Sequence, residues 1–227
     1  GIALGEEGRR EEEIEAYRRA LSINPQLAMV WSNLGIALLG HGATEDALAS
    51  FERALAIEPD DIDVLISRGN ALQDAGRHED ALASYDRALA LEPDNAYVLY
   101  NRGVSLQTLS RHGEALASYE RALAIRPDDA ETLNNRGNML QALGRHEEAL
   151  ASYDRALAIR PDYVEAHYNH GNILHVLKRH ENAVASYDRA LAIKPDYVQA
   201  LNNRGSALQD LDRHGEDVSL AAHGLDD

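Results

Sequence analysis

Residues 145–162 read RHEEALASYDRALAIRPD, and nearly the same words stand at 77–94 (RHEDALASYDRALALEPD), 111–128 (RHGEALASYERALAIRPD) and 179–196 (RHENAVASYDRALAIKPD). The six prolines, Pro25, Pro59, Pro93, Pro127, Pro161 and Pro195, follow one another at intervals of 34 residues. A fixed period of this size marks a stacked repeat array. Within the unit 130–163 the apolar residues keep helical spacing twice. The first stretch, 130–143, carries Ala130, Leu133, Leu140 and Leu143, and the second, 146–159, carries Ala149, Leu150, Tyr153, Ala156, Leu157 and Ile159. Gly144 separates the two, and Pro161 ends the second because it cannot continue the backbone ladder. Asp162 is expected to cap the next helix with Glu165 behind it, as are Asp128 with Glu131 and Asp196 with Gln199. Each unit is therefore read as helix, tight turn, helix, turn.

Small residues recur where helices must approach. Gly35, Gly69, Gly103, Gly137, Gly171 and Gly205 form one column, and Ala20, Ala54, Ala88, Ala122, Ala156 and Ala190 another. The bulky counterpart is Tyr17, Phe51, Tyr85, Tyr119, Tyr153 and Tyr187. This pattern resembles the tetratricopeptide repeat, and in one unit Trp31, Leu34, Gly35, Leu38, Ala47, Phe51, Ala54 and Pro59 match that family position for position. The resemblance implies an all-α, right-handed solenoid of stacked helical hairpins. One departure recurs: the Leu column becomes Arg68, Arg102, Arg136, His170 and Arg204, whose alkyl stems are expected to cover apolar surface while their heads reach water.

One array over residues 1–227 is expected, with a partial unit at 1–27, units at 28–61, 62–95, 96–129, 130–163 and 164–197, and a partial or capping unit at 198–227. Gly1 falls in the glycine column, so the chain reads as starting inside a first helix and as a fragment of a longer protein. A final first helix is expected over 198–211 and a short closing helix over 216–222, serving as a native cap or marking truncation. The net charge of -16 opposes general nucleic-acid binding. No cysteine is present for disulfides or thiolate metal sites, and no run of about 18 apolar residues spans a membrane. A cytoplasmic location is the expectation.

On a helical wheel the columns of Leu133, Gly137 and Leu140 face the core, and the opposite arc collects Glu131, Asn134, Asn135, Asn138, Gln141 and Ala142. By family architecture this arc lines a concave groove. One groove column is Asn33, Ser67, Asn101, Asn135, Asn169 and Asn203; a second is Ile36, Asn70, Val104, Asn138, Asn172 and Ser206; a third is Leu39, Gln73, Gln107, Gln141, His175 and Gln209. A primary amide offers donors and an acceptor, so a row of amides can hold an extended chain by its backbone. The alternative is that these amides solubilise the face or tie neighbouring helices together. Tyr97, Tyr100, Tyr168 and Asn202 complete the candidate surface. The Asn row is similar to the asparagine ladder of the superhelical repeats of O-linked N-acetylglucosamine transferases, which implies recruitment of protein substrates. Asp63, Asp74, Glu131, Glu165 and Asp210 make the arc acidic, so a bound segment is expected to be extended and neutral to basic.

No catalytic constellation and no cofactor site is read. The Ser column, Ser84, Ser118, Ser152 and Ser186, recurs in every unit, which argues packing over nucleophilic chemistry. His78, His112, His146, His180 and His214 lie one per unit, too far apart to share an ion, and are read as surface or turn residues. His167, His170 and His175 share one helix without an assured third ligand site, and no metal is expected. The resulting expectation is a protein-interaction scaffold that binds a protein or peptide in its groove. The alternatives are a recruiting arm of a larger enzyme such as a glycosyltransferase, or an array that self-associates through its ends, where Ile2 and Leu4 are poorly covered.

Overall fold

A computed structural model describes the backbone of residues 2–223 and the side chains of residues 11–212. The described residues form twelve helices and no strand: α1 (Ile2–Ile23), α2 (Ala28–Gly40), α3 (Thr44–Ile57), α4 (Ile62–Asp74), α5 (His78–Leu91), α6 (Ala96–Thr108), α7 (His112–Ile125), α8 (Ala130–Ala142), α9 (His146–Ile159), α10 (Val164–Val176), α11 (His180–Ile193) and α12 (Val198–His223). The chain divides into two compact units, Gly1–Ala122 and Leu123–Asp227, with the boundary inside α7. In the first, α2 packs on α3 and α4 on α5, while α2, α4 and α6 contact one another in turn. In the second, α8 pairs with α9 and α10 with α11, while α8, α10 and α12 are successive neighbours. Each unit is a stack of helical hairpins, the all-α solenoid class expected.

The turn within each hairpin ends in a left-handed residue. Gly42, Gly76 and Gly144 take φ of 79°, 73° and 74°, and Ser110 and Lys178 occupy the same column at 58°. At Gly76 the following amide, Arg77 N, returns to Leu72 O at 2.8 Å, which closes the helix end. The turn between hairpins corrects the expected caps by one residue. The Pro-Asp pair sits in the middle of a turn closed by a bond such as Tyr163 N to Arg160 O at 3.2 Å, so the capping place falls one position later. Asp129, not Asp128, accepts from Glu131 N and Thr132 N at 3.0 and 3.2 Å, and Asp61 and Asn95 cap α4 and α6 in the same way. Tyr163 holds that place before α10 and has no side-chain cap; instead the Arg160 guanidinium lies 3.5 Å from its ring centre.

The core alternates glycine and aromatic ring. Phe51, Tyr85, Tyr119, Tyr153 and Tyr187 are fully buried. A Cβ built on Gly69 would stand 2.5 Å from Tyr85 Cε1, so the ring lies against the bare helix backbone. The Arg column differs from its expectation. Arg68 Nη1 donates to Ser84 Oγ at 2.7 Å and Arg102 Nη1 to Ser118 Oγ at 2.6 Å; Arg136 bonds Ser152, and His170 Nδ1 lies 2.9 Å from Ser186 Oγ. The heads turn inward because the hairpin partner helix offers a hydroxyl there and the second helix of the preceding hairpin offers an acid, such as Asp86 on α5 for Arg102 at 2.7 Å. Where the column holds Leu34, Ser50 turns back to Asp46 O at 2.8 Å in its own helix.

Both ends depart from the expected pattern. α12 runs unbroken through the place assigned to a turn and a closing helix. Asp212 stands where Gly42, Gly76, Ser110, Gly144 and Lys178 take a left-handed backbone, and Ala221 stands where the aromatic column would continue. α1 is also a single helix, running unbroken through Gly8, the place of the turn column in that unit. The exposure expected at Ile2 and Leu4 lies outside the described side chains.

Candidate functional site

The amide columns project from the first helices and are tied to the core by the buried tyrosines. Tyr85 Oη donates toward Asn70 Oδ1 at 2.9 Å and lies 3.2 Å from Gln73 Oε1. Tyr153 reaches Asn138 Oδ1 at 2.8 Å and Gln141 Oε1 at 3.3 Å, Tyr119 reaches Gln107 at 2.9 Å, and Tyr187 reaches Asn172 at 2.9 Å. The repeat contains its own control. Where the ring is Phe51, which has no hydroxyl, the two facing positions are Ile36 and Leu39. The amides at Asn70, Gln73, Gln107, Asn138, Gln141 and Asn172 therefore answer buried hydroxyls.

The first column then bridges neighbouring first helices. Asn101 Nδ2 on α6 donates to Asn70 Oδ1 on α4 at 3.2 Å, and Ser105 Oγ to Gln73 Oε1 at 3.0 Å. Asn169 Nδ2 on α10 donates to Asn134 Oδ1 on α8 at 3.0 Å, and Asn203 Nδ2 on α12 to Asn172 Oδ1 at 2.8 Å and Tyr168 Oη at 3.2 Å. Asn70 Nδ2 also reaches Tyr97 Oη at 3.0 Å. Asn101 and Asn134 are buried by these contacts. Asn33, Asn70, Asn135, Asn138, Asn169, Asn172 and Asn203 are half-buried, and Asn202 is exposed. Tyr100 packs 6.0 Å from Tyr119, and Tyr168 packs 5.1 Å from Tyr197. Asp63, Asp74, Glu131 and Glu165 are exposed.

Desolvation pushes the phenols of Tyr85 and Tyr153 well above the usual range, and that of Tyr187 up to about 12, helped by neighbouring Tyr168. The hydroxyls therefore stay protonated and serve as donors. Tyr153→Phe leaves Asn138 and Gln141 without that donor, and we expect a loss of about 1–2 kcal/mol in denaturant unfolding. Adding Asn138→Ile and Gln141→Leu, the pairing found beside Phe51, is expected to recover most of it, because removing both partners of a hydrogen bond is nearly neutral. A Tyr153→Phe variant as stable as the parent would show that the hydroxyl braces nothing.

The histidines sort differently from their sequence grouping. His167 Nε2 lies 2.8 Å from Pro161 O, and His170 lies 3.1 Å from Asp154. His175 leaves that pair and meets Asp210 at 2.8 Å, with the His180 ring centre 5.2 Å from its own. Sequence reasoning treated His180 as a turn residue and compared it only with its own column.

Models of the tetratricopeptide repeat match residues 1–27, 28–61, 66–130 and 118–151, and a model of the TPR repeat matches 137–177 and 171–212. The chain belongs to the tetratricopeptide repeat family. No curated protein matches it. Among solved structures it is similar to YrrB, described as a TPR protein with an unusual peptide-binding site, at 26% identity over 85% of this chain and 99% of that one, with a TM-score of 0.75. A tetratricopeptide repeat protein from Parabacteroides merdae matches at 19% identity over 85% of this chain and 76% of that one, with a TM-score of 0.74. MamA from Desulfovibrio magneticus matches at 22% identity over 75% and 96%, with a TM-score of 0.72. The last two likenesses concern the fold. Tetratricopeptide arrays are in general binding modules rather than catalysts, and this chain is a protein-interaction scaffold of that class. No described helix is long and apolar enough to cross a membrane.

Proposed function

We propose that each unit holds an extended segment of a partner protein along its row of first-helix amides, chiefly by the partner's backbone. The bracing of that row carries the reading. Tyrosine hydroxyls and Asn–Asn bonds fix the amides before a ligand arrives, and a preorganised site loses less freedom on binding. The bonds between neighbouring helices use one N–H of Asn101 and one of Asn169, while Asn203 directs its amide nitrogen to both Asn172 and Tyr168. A primary amide has a second N–H and a carbonyl oxygen, the pair a peptide unit requires. In this reading the amides join helices and also offer a backbone-reading edge. Acidic flanks at Asp63, Asp74, Glu131 and Glu165 favour a neutral to basic segment. The likeness to YrrB, a protein described with a peptide-binding site, supports the same class of ligand.

The test titrates a basic and an acidic extended peptide of equal length into the chain, and into a variant with Ala at Asn135, Asn169 and Asn203. The basic peptide is expected to bind more tightly. The variant should weaken it by tenfold or more, in line with about 0.5–1.5 kcal/mol for each hydrogen bond removed. Helical content and melting are recorded in parallel, since the same amides join helices. Equal binding of both peptides, or unchanged affinity in a folded variant, would overturn the reading.

A further inference from the structure

Three side chains from three helices converge at one place in the second unit. His175 lies near the end of α10, His180 opens α11, and Asp210 lies on α12. One ligand atom from each falls within 4.8 Å of the others. His175 Nε2 and Asp210 Oδ2 are already 2.8 Å apart, and the two imidazoles meet edge to face at 71°. The cluster is partly open to solvent, with His175 exposed by 24% and Asp210 by 41% of their side-chain surfaces. We propose that these residues bind a divalent transition metal ion, with zinc as the reference ion, and that the ion fastens α10, α11 and α12 together.

The donor set fits that chemistry. Two imidazoles and one carboxylate are a three-ligand set that zinc accepts, with a water in the fourth position. Bonds of about 2.0–2.2 Å to each ligand need only small movements of side chains that already approach this closely. The ion would replace the proton that His175 and Asp210 now share in their hydrogen bond.

The repeat shows that this convergence is particular to one place. His180 belongs to a column that recurs as His78 and His146, each with a buried Nδ1 that has no hydrogen-bond partner. That orphan nitrogen recurs at His78 and His146, so it reflects how the hairpin holds the ring and not a ligand. What differs is the company. The residues equivalent to His175 and Asp210 beside His146 are Gln141 and Val176, and beside His78 they are Gln73 and Thr108. Only at His180 do both neighbours change to ligating side chains, and among the described residues this is the one group of three that meets the distance requirement. A histidine paired with an aspartate for structural reasons alone would not need the second imidazole.

The experiment uses the whole chain without an affinity tag. Zn²⁺ is titrated by calorimetry, and Co²⁺ is followed by its visible absorption, which reports coordination geometry. One ion per chain is expected. His175→Gln and Asp210→Val, each restoring the residue of the preceding unit, should weaken Zn²⁺ binding by at least about tenfold, the lower end of what even an outer-shell partner is worth. Transplanting the pair as Gln141→His with Val176→Asp beside His146 should raise the stoichiometry to two. No saturable binding, or binding unaffected by His175→Gln in a protein of unchanged helicity, would overturn the proposal, because the ion would then be held by scattered surface histidines. A transplant that leaves the stoichiometry at one would show that the three columns do not define a site. None of these readouts depends on a peptide, so the proposal stands or falls apart from the groove.

Discussion

Gly137→Ala is expected to destabilise the second unit by about 2 kcal/mol, whereas Gly205→Ala should leave stability unchanged or raise it by up to about 1 kcal/mol. The two glycines share a column, so the sequence treats them alike. They differ in what faces them. A Cβ on Gly137 would stand 2.5 Å from Tyr153 Cε1 and 2.8 Å from its Cζ. Tyr153 has no room to withdraw: it is fully buried, and its hydroxyl is held by Asn138 and Gln141. Overpacking a core that cannot relax costs about 1–3 kcal/mol or somewhat more, against the gain of about 1 kcal/mol that alanine brings to a helix. At Gly205 a Cβ meets nothing within 4 Å, so only the helix preference remains. Denaturant unfolding of both variants checks the pair. A Gly137→Ala chain as stable as its parent would mean that the ring does not lie against the helix backbone. Because hairpins stabilise one another through shared interfaces, the loss should also be felt by the hairpin adjoining α8 and α9.

Those two glycines illustrate what the sequence can and cannot say. The 34-residue period, the glycine facing an aromatic and the proline after each second helix were enough to read hairpins and their order. The caps were misplaced by one residue because Pro-Asp is read most simply as stop and cap, while the closing bond of the turn moves the cap to Asp129. The Arg column was assigned to water because the Ser column was read separately as packing; together they are one hydrogen-bonded pair across a hairpin. The bracing of the amides was in principle legible. Phe51 stands with Ile36 and Leu39, while Tyr85 stands with Asn70 and Gln73, and that exchange of three positions at once signals a buried hydroxyl. The meeting of His175, His180 and Asp210 was not legible in the same way, since it joins three different columns through the stacking of three helices.

The buried hydroxyls also set how the protein meets alkali. Stability should hold steady between about pH 7 and 9 and then fall steeply above about pH 10. In the unfolded chain each tyrosine loses its proton near pH 10, while in the fold burial holds the phenols of Tyr85, Tyr153 and Tyr187 above that value. Below about pH 10 both states keep the proton and the contribution is whole. Above it the unfolded state gains free energy from ionising, and the folded state does not until its own higher value is reached. The native state then binds more protons, so unfolding becomes easier by about 1.4 kcal/mol per pH unit for each such tyrosine, or roughly 4 kcal/mol per unit for the three. The window is unusually clear of other titrations, because only Lys178 and Lys194 are lysines, the arginines stay charged and the histidines are already neutral there. Self-repulsion among the acidic groups also grows with pH, so the decisive comparison is with Tyr153→Phe, which keeps the charge and removes one hydroxyl. That variant starts lower and should lose stability with a slope shallower by about 1.4 kcal/mol per pH unit. Denaturant midpoints at several pH values, read alongside phenolate absorbance, measure both. If the folded chain's tyrosines all ionise near pH 10, or the slopes of parent and variant coincide, the hydroxyls are not held in the core as donors, and the amide row has lost its brace.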